Sequence, residues 1–178
     1  MIKQEFRIKE TDLLKDIKGK RLERIFYTEP VFGKIKLDLS DYAIVISNEM
    51  HEANLIGEEE EVTYFTIDKV DKEYDFRHFD DDSTVTSMDI NEKVTSIKVV
   101  NDLINYHDEY EISYDVAIIF VTDKHKYTIS RDWFYMETME ISVDKDVDDI
   151  LDKDTIIEQY RGESTDLKVE IVRISRDI

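Results

Sequence analysis

The 178-residue chain has no cysteine. Disulfides, thiolate nucleophiles and zinc sites built on thiolates are therefore excluded. It has one proline and four glycines, so no flexible linker or low-complexity tract divides it. Gly19, Gly33, Gly57 and Gly162 are too scattered to cradle a phosphate, and none flanks a serine in the strained turn a serine nucleophile needs. Long hydrophobic runs are also missing. The longest, Val116 to Val121, falls far short of the ~20 residues that span a bilayer. The start, Met1-Ile2-Lys3-Gln4-Glu5, has no apolar signal core. A soluble, cytoplasmic protein is the expectation. The four histidines, His51, His78, His107 and His125, lie too far apart in sequence for a His-x-x-x-His zinc face.

What the chain has in excess is negative charge. It carries 43 acidic residues against 24 basic ones, a formal net charge of −19. The charge is uneven. Residues 1–36 hold ten basic and six acidic residues, or +4, which leaves 14 basic and 37 acidic residues, or −23, for the remainder. Such a surface repels nucleic acid and anionic membrane and attracts basic proteins at long range. The same acidity also serves solubility.

The apolar pattern is that of strands. Tyr110, Ile112 and Tyr114 alternate with Glu111, Ser113 and Asp115, and the unbroken apolar run follows. After Thr122-Asp123-Lys124-His125, Tyr127 and Ile129 alternate with Lys126, Thr128 and Ser130. Alternation at period two predicts a strand with one wet face, and a run apolar on both sides predicts a covered strand. The stretch therefore predicts an antiparallel hairpin whose first strand is central. Further strands are expected at 2–8, 20–28, 34–39, 42–47, 52–56, 62–68, 84–90, 94–101 and 138–143, with an edge or closing strand from Leu167. Thr11-Asp12 reads as the N-cap of a short helix stopped by Gly19, and 147–161 reads as a second helix ending before Gly162. The fold class expected is mostly β: one domain over 1–178, an antiparallel barrel-like sheet or sandwich with one or two short helices. An α+β layering is the alternative.

The segments fall into two similar β-meanders, residues 20–70 and 93–146. Leu22, Ile25 and Tyr27 match Val94, Ile97 and Val99 at a shift of 72. Ala43–Ile46 matches Ala117–Phe120 at a shift of 74, which also sets His51 on His125 at what read as equivalent turns. Phe65–Lys69 matches Ile141–Lys145 at a shift of 76. Small loop insertions would produce that drift.

Chemistry is harder to find. Asp144-x-Asp146-x-Asp148 opens like a calcium loop, but Asp149 and Thr155 stand where glycine and glutamate belong. An acidic start to the second helix explains it better. Asp115, interrupting an apolar strand, is the best single acid–base candidate, and the solvated end of that strand is its simpler placement. No catalytic set, metal or cofactor is assigned. Arg131-Asp132-Trp133-Phe134-Tyr135-Met136-Glu137 holds the only tryptophan and four bulky residues in a row. In the first meander its counterpart is the acidic Gly57–Glu60. Trp133 and Tyr135 either close one end of the core or form an exposed anchor ringed by acids. Partner-binding candidates are accordingly Trp133, Phe134, Tyr135, the acidic run Glu58, Glu59 and Glu60, and the run Asp80, Asp81 and Asp82. Three functions remain. An acidic protein-binding module, such as an inhibitor or immunity-type partner of a basic protein, comes first. A β-barrel for a small apolar ligand is second, and a carboxylate- or metal-dependent hydrolase is third.

Overall fold

A computed structural model describes residues 1–77, 83–131, 133–162 and 166–178. They form, in chain order, β1 (Ile2–Phe6), α1 (Thr11–Ile17), β2 (Arg21–Thr28), β3 (Lys34–Leu39), β4 (Ala43–Leu55) and β5 (Glu58–Val70). Then come β6 (Val85–Tyr106), β7 (Tyr110–Thr122), β8 (Lys126–Arg131), β9 (Met139–Val143), α2 (Val147–Ile150), α3 (Lys153–Arg161) and β10 (Val169–Asp177). The sheet order is β5-β4-β3-β2-β6-β7-β8-β9, with β1 beside β7 and β10 beside β6. The mostly-β expectation holds, and the sheet does not close into a barrel. One pairing departs from the antiparallel expectation: β1 runs parallel to β7, Ile2 opposite Tyr110 through Phe6 opposite Tyr114. β7 is central, bordered by β6, β8 and β1.

Several expected segments merge. The strands read at 42–47 and 52–56 are one strand, β4, because the polar residues Ser47 to Glu52 keep their ladder to β5 without a break. The strands at 84–90 and 94–101 are likewise one 22-residue strand, β6. It lies against β2 with its first part and against β7 and β10 with the rest. Register shifts and Asn91 at φ 57° let it bend, as bulges do where a strand passes from one sheet face to another. The expected helix 147–161 splits in two instead. The side chain of Asp152 accepts hydrogen bonds from Thr155 N at 3.0 Å and Oγ1 at 2.8 Å, starting α3 afresh. At α1 the cap position is Glu10, without a side-chain bond, rather than Thr11 or Asp12. Gly19, at φ 87°, follows that helix as expected.

Residues 20–70 form the meander β2–β5, and residues 93–146 form a second one from the end of β6 through β9. The sequence match sets β2 on β6 and β5 on β9, but it sets the third strand β4 on the second strand β7. His51 therefore lies inside β4, whereas His125 lies in the turn after β7. They are not at equivalent turns.

Two apolar clusters result. The first joins inward residues of both meanders, including Ile25, Leu37, Ile46, Phe65, Ile97, Ile118, Phe120 and Ile129. The second lies on the other face of β6 and β7, under α2, α3, β1 and β10, and includes Phe6, Ile104, Ile112, Tyr114, Ala117, Phe134, Ile156 and Tyr160. The register of β7 shifts opposite Val100 and Asn101, leaving Val116 as an extra residue. Tyr114 and Val116 therefore share a cluster with Ala117 and Ile119, while Ile118 and Phe120 point into the other. The second cluster overturns the expected wet faces. Ser113, Asp115, Thr128 and Ser130 are all buried, because helices and terminal strands cover them.

Candidate functional site

Asp115 is not at a solvated strand end. It is fully buried, and its carboxylate is saturated. Arg176 of β10 donates to it through both terminal nitrogens, at 3.1 and 2.8 Å. Asn101 Nδ2 and the backbone N–H of Ile8 each donate to it at 2.9 Å. A neighbouring clamp repeats the pattern: Arg173 binds buried Asp102 at 2.7 Å through Nε and Nη2, and Asp148 at 2.8 Å through Nη1. Carboxylates engaged in this way tie β10 to β6, β7 and α2; Asp102 and Asp115 are buried on these bonds, and Asp148 is the exposed one of the three.

The opposite situation occurs at Arg131. Its side chain is 1% exposed at the end of β8. Nη2 donates to the carbonyl of Thr63 and, at 2.8 Å, to Thr63 Oγ1, while Nε and Nη1 have no hydrogen-bond partner among the described residues. Instead the guanidinium lies 3.9 Å from the centre of the Tyr114 ring and 5.4 Å from that of Phe65. Burial pushes its pKa well below the usual arginine value. Tyr160, also buried, is pushed the other way, chiefly by desolvation.

The connection between β8 and β9 closes over this arginine. Phe134 is fully buried, with its ring 3.8 Å from Tyr114, 5.5 Å from Phe6 and 5.7 Å from Tyr160. Trp133 is half-buried, edge-on to Tyr160 at 4.7 Å. So the residue that closes the core is Phe134, flanked by Trp133, and not the expected pair Trp133 and Tyr135. Tyr135 and Met136 turn outward, 42% and 47% exposed. Their backbone is nevertheless held firmly. Thr63 N–H donates to the Phe134 carbonyl at 2.6 Å, the Thr63 hydroxyl lies 3.2–3.3 Å from the carbonyls of Trp133, Phe134 and Met136 with one proton to give to any of them, and Asn48 Nδ2 donates to that of Met136. Glu137 Oε1 accepts from Met50 N at 3.0 Å, and Phe32 bridges to Thr138. Exposed Phe32 and Met50 thus border the same connection.

Glu58, Glu59 and Glu60 are not in a loop but open β5 as part of a strand, with Glu60 half-buried. Glu60 and Glu58 lie near enough to Tyr135 to add to the burial that raises its pKa. The fold therefore brings Tyr135, Glu58 and Glu60 together, places Phe134 beneath them, and turns Glu59 to the opposite face of β5. Asp80, Asp81, Asp82 and His78 lie outside the described residues.

The remaining sequence candidates disperse. Asp144 accepts from His125 Nδ1 at 2.8 Å and from Lys126 N at 2.9 Å, Asp146 pairs with Lys126 Nζ at 2.6 Å, and Asp148 goes to Arg173. Each carboxylate meets its own cation or amide rather than a shared point. These bonds hold the pKa values of Asp144 and Asp146 below the ordinary aspartate range. Among the described residues, no three His, Asp or Glu side chains come together as a metal would require. His51 stacks on Tyr64 at 4.3 Å, and His107 sits in the β6–β7 turn at φ 52°.

Sequence reasoning missed Arg131, Met50 and Phe32. Nothing local marks Arg131, because its environment is supplied by Thr63 and Phe65, far away in the chain. No family model, curated protein or solved structure matches this chain.

Proposed function

We propose that the chain is an acidic protein-binding module whose contact surface is the β8–β9 connection. The observation that carries this reading is the outward pair Tyr135–Met136 on a backbone fixed by Thr63 and Asn48. Tyrosine on a rigid support is a favoured interface anchor, because little conformational freedom is lost on contact. Phe32 and Met50 extend the apolar area, and Glu58, Glu60 and Glu137 edge it with negative charge. A partner with a basic rim around an apolar socket is the complement, in keeping with the net charge of −19.

The test is capture from the native host by the wild-type chain, the Tyr135→Ala/Met136→Ala variant and the Glu58→Lys/Glu60→Lys variant. Basic proteins held by the wild type and lost from both variants are expected. For an identified partner, the apolar double substitution should weaken binding by about 2 kcal/mol or more, with little change in the melting temperature of the free chain. Capture of the same proteins by all three chains sinks the reading.

A further inference from the structure

The C-terminal strand has features that the binding surface does not use. β10 pairs only with β6 among the described strands. Alternate backbone N–H and C=O groups along its nine residues therefore point away from the sheet. The other edges are guarded. β1 is met by the β4–β5 hairpin tip, where Gln4 binds Asn54 and Ile56. β5 opens with four glutamates, and β9 has only five residues. β10 instead presents Val172 and Ile174 on one face, 51% and 50% exposed.

Its charge is also unlike that of the rest. Residues 167–178 carry Lys168, Arg173 and Arg176 against Glu170 and Asp177, a net +1 in a molecule of −19. Its three cations are held within the subunit, Lys168 by Asp108, Arg173 by Asp102 and Asp148, and Arg176 by Asp115, so that +1 is offset by neighbouring acids and pairing rests on the open edge and its apolar residues. The strand is self-complementary as well. Antiparallel pairing centred on Arg173 sets Val172 opposite Ile174 of the second copy, and Ile174 opposite its Val172. The two central Arg173 side chains do not collide, since each is turned into its own subunit on Asp102.

We propose that β10 is a homodimerisation edge, joining two copies through an isologous β10–β10 pair centred on Arg173. Such a pair is closed by a two-fold axis and stops at two subunits. It is a small interface, so association is weak and concentration-dependent. Because each copy is strongly acidic, added salt strengthens it by screening the remaining repulsion.

Sedimentation equilibrium over a range of chain concentrations tests this. The wild type should shift from monomer to dimer, and more readily in high salt. Val172→Lys/Ile174→Lys should raise the dissociation constant at least ~10-fold, while the melting temperature of the dilute monomer stays unchanged because both side chains face solvent. The chain has no native cysteine, so a mixture of Val172→Cys and Ile174→Cys copies reports the register. Directly opposed positions lie within disulfide reach, and the mixture should cross-link faster than either variant alone. A chain that stays monomeric throughout, a dimer that survives the lysine substitutions, or a mixture that cross-links no faster than the single variants overturns the proposal.

Discussion

Two buried charges in this protein are handled in opposite ways, and substitutions should separate them. Asp102 is paired bidentately with Arg173, and both side chains are almost wholly buried. Asp102→Ala leaves Nε and Nη2 of the buried Arg173 without their carboxylate, with only Asp148 and the Leu151 carbonyl on Nη1, and the expected loss is about 3–5 kcal/mol by urea denaturation. Arg131 has no carboxylate among its described partners, so its desolvation is offset only by Thr63 and the faces of two rings. Arg131→Met keeps the volume and removes the buried charge, so stability should be unchanged or higher. A loss at Arg131 as large as that at Asp102 would mean that the aromatic cage compensates the charge fully. Tyr127 gives a pH signature. Burial, followed by Glu92, pushes its pKa up to about 12. The folded chain therefore keeps the phenol protonated where the unfolded chain, at about 10, releases it. Stability from this group is complete below pH 10 and falls as pH rises toward 12. Tyr127→Phe should flatten that decline in alkaline melts. Asp115 could be singled out from sequence, because a lone acid in an apolar strand is visible there. Its saturation could not, since Arg176 and Ile8 reach it from opposite ends of the chain.

At the scale of elements, local pattern located nearly every strand and misjudged where strands end. β3 was legible to the residue because Ile35, Leu37 and Leu39 alternate between turn residues. β4 and β6 were each read as two strands, since their polar stretches look like turns until a neighbour supplies hydrogen bonds. The polar faces of β7 and β8 read as wet for a related reason: what covers them, α2, α3 and β10, lies beyond β9, further along the chain. The split between α2 and α3 has a single-residue cause. Asp152→Ala removes the cap on α3 and should cost about 0.5–2 kcal/mol, with lost helical ellipticity as the readout. Asp152→Asn should recover most of it. The aromatic connection was half legible. Four bulky residues in a row had to divide between inside and outside, but only the three-dimensional arrangement shows that Phe134 goes in and Tyr135 goes out.

For the whole molecule, charge and topology act together. The acidity that should draw a basic partner to Tyr135 also keeps copies of the chain apart. Salt should therefore weaken binding at the β8–β9 connection and favour pairing through β10, and this opposite response distinguishes the two surfaces in one titration. Topology has a different consequence. β6 serves both meanders, and β1, from the start of the chain, is seated on β7 in the second. Neither meander is a separable unit. Cleavage between Val70 and Val85 would yield two pieces linked by two strand pairings, so the halves remain engaged after the chain is cut. A chain nicked there should therefore run as one species under native conditions and separate into two fragments only in denaturant.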